Sequence, residues 1–203
     1  MPRLTEQTRA QRREHVLTSA LTCFAEKGFH ATSMDDVIAA TGWSSSAVYR
    51  HFRSKEELIQ AAAERGLGLV HDTFARLLTL RPTPTPAQTL AILVGELETR
   101  MAQPGHDMTK LAVQAWAEVL GNPGLRSFAQ DRYTAARERL AELAGRWRAD
   151  GRLSADADPE ATAAVLFALM PGLIISHHLV ADVTLRQLTA GLTALGTALA
   201  DPA

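Results

Sequence analysis

A chain of 203 residues with 46% hydrophobic residues can bury a proper core. Its 21 basic and 22 acidic side chains, net −1, point by themselves to no nucleic-acid partner, so the placement of charge matters more than its sum. A single cysteine, Cys23, excludes an intramolecular disulfide framework and fits a reducing cytoplasm.

The N-terminus is polar and Arg-rich, unlike a signal peptide. A first helix is expected from about Thr8 to Lys27, with Leu17, Ala20, Leu21 and Phe24 on one apolar face and Gly28 as its stop. Ser33 is placed to cap a second helix, its hydroxyl accepting from the backbone N–H three residues on. Asp35 and Asp36 suit the positive end of that helix dipole. Met34, Val37 and Ile38 form its inward face, and Thr41-Gly42 breaks it. Ser44 then caps a third helix ending near His51 or Phe52. Ser54 followed by Glu57 is a capping box opening a long fourth helix, which carries Leu67, Val70, Phe74, Leu77 and Leu78 and ends before Arg81.

The Arg81–Pro86 segment, RPTPTP, is a stiff loop because proline fixes φ and removes donors. Further helices are expected at about 87–102, 106–120, 123–149, 158–178 and 184–200, and no segment shows the period-two alternation of a strand. The longest apolar run, Ala161 to Ile175, is interrupted by Pro171-Gly172 and falls short of the roughly 20 residues that span a bilayer. The expectation is an all-α cytoplasmic protein with no membrane partner. It divides near residue 58, into 1–58 and 59–203, with the fourth helix bridging the two parts.

Two very short helices joined by a tight turn, with a long helix close behind, are the helix-turn-helix arrangement that places one helix in the major groove of DNA. Leu17, Phe24, Val37, Ile38, Val48 and Phe52 would form the core that holds this helix at a fixed angle. Its exposed face offers Ser44, Ser45, Ser46, Tyr49 and Arg50, small hydroxyls that permit close approach to base edges, and Tyr49 and Lys55 suit phosphates. Basic residues gather where a duplex backbone would pass: Arg3, Arg9, Arg12 and Arg13 at the N-terminus, and Arg50, Arg53 and Lys55 after the third helix.

From about Arg12 to Leu58 the chain resembles the DNA-binding domain of the TetR family of bacterial regulators. The marks are ALTCFAEKGF, TSMDDVIAATG and SSSAVYRHFRSKEEL, with Tyr-x-His-Phe followed by Ser-Lys-Glu-x-Leu. The resemblance implies phosphate contacts from Thr32, Ser33, Tyr49, His51 and Lys55, and base contacts from Ser44, Ser45, Ser46 and Arg50. It implies a repressor that binds a palindromic double-stranded DNA operator as a homodimer and is released by a small-molecule effector. Trp43 departs from the pattern, standing where the family has a small aliphatic residue. It either packs under the turn or lies against a sugar-phosphate edge.

In the body, Leu185, Leu188, Leu192, Leu195 and Leu199 form a heptad-like seam, and Ala161, Ala164, Ala168 and Gly172 give the preceding helix a face that a partner can approach closely. Two such helices from each of two chains would form a four-helix dimer interface; the alternative is that both close an intrachain core. The resemblance implies an effector pocket among the middle helices, for which His71, Phe74, Met101, Met108, Trp116 and Phe167 are the candidate lining. The effector is expected to be mostly hydrophobic, with His71 as its polar anchor.

An enzyme reading finds no support. None of the seven histidines follows a glutamate by three residues, as a di-metal bundle requires, and no phosphate loop or nucleophile elbow occurs. The adjacent His177 and His178 diverge by about 100° on a helix and are poorly placed to share a metal. Catalytic, metal and cofactor sites are therefore expected to be absent. A helical interaction module that has lost DNA binding is disfavoured by the intact Tyr49–Lys55 signature.

Overall fold

The computed structural model describes residues 5–102 and 107–180, with 184, 186, 187, 190, 191 and 194 beyond them. Eight helices and no strand occur among the described residues: α1 (Glu6–Ala31), α2 (Met34–Thr41), α3 (Ser45–Tyr49), α4 (Lys55–Thr79), α5 (Pro86–Met101), α6 (Met108–Gly121), α7 (Pro123–Ala149) and α8 (Pro159–Leu179). They gather into two compact units, one of residues 1–66 and 101–126, the other of 67–100 and 127–203. The boundary falls inside α4, and α6 packs with the N-terminal helices.

In the first unit, Val16, Leu17, Ala20, Leu21 and Phe24 of α1 are buried with Val37, Val48, Phe52 and Leu58. Gly28 has φ +84°, so the helical path of α1 breaks there, as the sequence predicts. The chain turns and sets the Phe29 ring edge-on to Phe24, centroids 4.8 Å apart. Ser33 and Asp36 close a reciprocal capping box on α2, and Gly42 ends that helix at φ +69°. Ser44 occupies the cap position of α3, but its hydroxyl meets Ser46 Oγ at 3.2 Å and caps no backbone amide. The box at α4 is likewise altered. Ser54 Oγ accepts from Glu57 N, while the Glu57 carboxylate accepts from Arg53 N, one residue before the expected position.

α6 docks through polar contacts as well as packing. Gln114 Oε1 accepts from Phe29 N at 3.2 Å, and Glu118 Oε1 lies 3.2 Å from His30 Nε2. The amide freed by the Gly28 break thus finds its acceptor 85 residues along the chain.

The second unit is built on Phe74, Leu77, Leu93, Ala136, Leu140, Leu143, Ala144, Trp147 and Ala163. Trp147 is fully enclosed and donates from Nε1 to Pro84 O at 2.7 Å, fastening the proline loop to α7, while Arg152 donates to Thr83 O. Pro171 does not interrupt α8. The helix runs 21 residues through it, losing one backbone donor while the remaining ladder carries the turn. The expected bilayer argument from this segment is therefore corrected: α8 is long and apolar enough for a membrane span, with mean hydropathy 1.6 and only 17% of its apolar window buried. The leucine seam at 185, 188, 192, 195 and 199 lies outside the described residues.

Candidate nucleic-acid interface

Val48 and Phe52 point inward from α3 and the residues after it, and their burial leaves Ser44, Ser45, Ser46, Tyr49 and Arg50 exposed on one side. No acid stands within this exposed set, and Arg12, Arg13, Arg50 and Arg53 are exposed nearby in the chain or fold. Arg13 stacks its guanidinium over the Phe52 ring at 4.3 Å, holding the N-terminal half of α1 against the segment after α3.

Trp43 is half-buried and packs beneath the turn. Its ring lies 4.7 Å from that of His15 and 6.3 Å from that of His51, and its amide donates to Thr41 Oγ1. His15 Nε2 meets Thr41 O at 3.1 Å, so α1, the turn and the His51 segment share one aromatic contact. Beside it opens a hollow of about 230 Å³ lined by Arg12, Trp43, Ala47, Arg50 and His51. Partial burial and the surrounding Arg12, Arg50, Arg13 and Arg9 hold the His51 imidazole below its ordinary pKa.

The other expected phosphate residues are placed unequally. Thr32 is buried, and its hydroxyl donates inward to Cys23 O and Gly28 O, closing the end of α1. Ser33 stays exposed but its hydroxyl is engaged with Asp36. Lys27 holds the Asp36 carboxylate at 2.5 Å, and with the two Ser33 bonds this lowers the Asp36 pKa far below the carboxylate range. Lys55 Nζ donates to His30 O at 3.2 Å, which ties the start of α4 to the end of α1. Cys23 is buried, and burial, followed by the nearby Asp36 and Glu26, raises its thiol pKa, as suits a core residue.

The six candidate effector residues divide evenly between the units. Met101, Met108 and Trp116 belong to the first, where Met108 is buried and the other two are partly buried. His71, Phe74 and Phe167 belong to the second. Phe74 is enclosed in the apolar cluster, and Phe167 meets Tyr133 edge-on at 5.3 Å. His71 has a partner that the sequence reading missed: Arg139 Nη1 lies 2.8 Å from Nδ1 and Nη2 3.0 Å from Nε2. Arg139 stands three residues after the buried Ala136 and four before Leu143, so helical spacing already put it at the edge of the α7 core face.

Among the described residues, no group of three metal-ligating side chains occurs.

Comparison with known proteins agrees with this geometry. Residues 16–62 match the N-terminal model of the bacterial regulatory proteins of the tetR family, and residues 97–199 match the C-terminal model of the BetI-type transcriptional repressors. The Escherichia coli strain K12 transcriptional regulator UidR is 26% identical over 169 residues, 83% of either chain. Relatives of higher identity match over shorter stretches. The first of them, 38% identical over 66 residues, is matched over only 32% of its own length and 32% of this chain. The solved structure of Salmonella enterica GusR superposes with a TM-score of 0.68 at 28% identity, covering 94% of this chain and 98% of that one. A regulator from Saccharomonospora viridis in complex with choline has a TM-score of 0.76 at 24% identity, covering 91% and 95%, and shares the fold. With both halves of the chain matched and its helix-turn-helix in place, this protein belongs to the TetR family of bacterial transcriptional regulators.

Proposed function

We propose that this regulator is a cytoplasmic, non-enzymatic repressor that binds a palindromic operator as a homodimer and leaves it when a small-molecule effector binds. The observation that carries the reading is the exposed Ser44–Ser46, Tyr49 and Arg50 face, backed by buried Val48 and Phe52. Hydroxyls at the start of α3 approach base edges, and Tyr49, His51 and Lys55 meet phosphates on either side. Residues 1–58 serve as the DNA reader and residues 59–203 as the effector and dimerisation part. The match of the second half to a repressor model supports repression.

Dimerisation is supported by α8. Ala161, Ala164, Val165, Ala168, Gly172, Ile175 and Leu179 form an exposed apolar stripe at helical spacing, with Val165 62% and Leu179 79% exposed. An apolar stripe of this length calls for a cover, and small residues suit a second copy of the same helix. On this reading the long apolar α8 serves a protein interface rather than a bilayer.

Binding of a small molecule is supported by the choline held in the structure of the Saccharomonospora viridis regulator, which shares this fold. The test is selection of genomic fragments by purified protein at moderate salt, followed by titration of the selected site. A palindromic consensus, steep weakening with salt and loss of binding in Lys55→Ala at every site are expected. Ser45→Ala and Ser46→Ala should instead change sequence preference. Retention of fragments without any preference would overturn the reading.

A further inference from the structure

The half-buried pair of His71 and Arg139 carries more than the expected polar anchor. Arg139 presents five N–H donors in a planar fork. A neutral imidazole offers one acceptor and a protonated one offers none, so His71 can take at most one of those donors. Among the described residues no carboxylate pairs with Arg139. The nearby Glu142 on α7 is held by Arg146 at 2.8 Å, and Glu138 and Asp72 are exposed. A part-buried guanidinium without a carboxylate against it is placed to receive an anion, because its planar fork of donors matches a carboxylate or sulfonate.

An apolar and aromatic cluster adjoins the pair. On α4, Val70 and Phe74 lie within a turn of His71. On α7, Ala136, Leu140 and Leu143 surround the Arg139 position. Leu166, Phe167 and Met170 of α8 pack on the same cluster. A cationic fork at the edge of an apolar and aromatic lining matches a molecule with an apolar body and one anionic group.

We propose that Arg139, positioned by His71, is the anchor for an amphipathic organic anion, a carboxylate or sulfonate on an apolar or aromatic body. This rests on the effector-release reading and narrows its ligand from a mostly hydrophobic molecule to an anionic one. On binding, the anion takes the two parallel N–H donors of the guanidinium, and His71 gives up its contact with them and donates to the anion from one ring nitrogen.

The test uses two fluorescent probes that differ in one group: 1-anilinonaphthalene-8-sulfonate and its uncharged parent, N-phenyl-1-naphthylamine. Each is titrated into the full-length protein and into Arg139→Gln and Arg139→Lys, with folding checked by circular dichroism. The unmodified protein should bind the sulfonate at least about tenfold more tightly than the parent, the order expected of a charge-assisted pair. Arg139→Gln should erase that preference while leaving the parent's affinity unchanged, and Arg139→Lys should restore part of it. Equal affinity for the two probes in the unmodified protein, or a sulfonate preference that survives Arg139→Gln, would overturn the proposal.

Operator binding, followed separately by fluorescence anisotropy, keeps the two readings apart. A sulfonate preference that depends on Arg139, in a protein that binds no operator, would sustain the anion site and sink the repressor. Operator binding without that preference would do the reverse.

Discussion

At the scale of single residues, His51 joins the chemistry of the surface to pH. Its imidazole is held below its ordinary pKa by partial burial and by Arg12, Arg50, Arg13 and Arg9. The unfolded chain therefore binds a proton more readily than the folded one, and this group removes stability as pH falls below about 6.5. A DNA phosphate beside the ring reverses the balance, since an anion favours the imidazolium. Operator affinity is expected to rise as pH falls from 7.5 to 6, more than in His51→Gln; parallel pH profiles of the two proteins would remove His51 from the phosphate contacts. Trp147 shows the cost of a single buried donor. Trp147→Phe leaves Pro84 O without its 2.7 Å partner and opens a void, so unfolding in urea should show a loss of about 1–3 kcal/mol.

At the scale of elements, helix ends were well marked in the sequence because capping is local. Ser33, Gly28 and Gly42 act within four residues, and the structure places all three as their chemistry requires. The exceptions are informative. Ser44 turns to Ser46, and the Glu57 carboxylate reaches Arg53 rather than Ser54. Side-chain choice among neighbouring partners depends on rotamers that residue type alone does not settle. Glycines divide in the same way. Gly28→Ala should destabilise by about 1–2 kcal/mol, because its φ of +84° suits no L side chain. Gly145→Ala, inside α7 with open space where the Cβ would stand, should stabilise by up to about 1 kcal/mol. Thermal melts of the two variants should move in opposite directions.

At the scale of the whole molecule, α8 and α6 carry the consequences. Ala168→Glu sets a charge in the middle of the exposed apolar stripe without touching the buried Ala163 or Leu173. Sedimentation should show monomers where the unmodified protein gives dimers, with loss of operator affinity because two linked readers become two separate ones. A variant that remains dimeric would remove this stripe from the interface. The clasp of Gln114 on the Phe29 amide belongs to this scale as well. Gln114→Ala strands that amide and should cost about 1–3 kcal/mol in the stability of the first unit.

The sequence alone determined the all-helical class, the ends of the eight described helices to within about four residues, and the exposed face of α3. These follow from periodicity, capping and turn chemistry, which act over a few neighbouring residues. Only the tertiary structure decided that Thr32 is turned inward, that Lys55 leans on His30 O, that Pro171 leaves α8 whole, and that α6 packs with the N-terminal helices. The pairing of His71 with Arg139, 68 residues apart, belongs to the same group. Each of these depends on which side chains long-range packing brings together, and no local pattern in the chain records that choice.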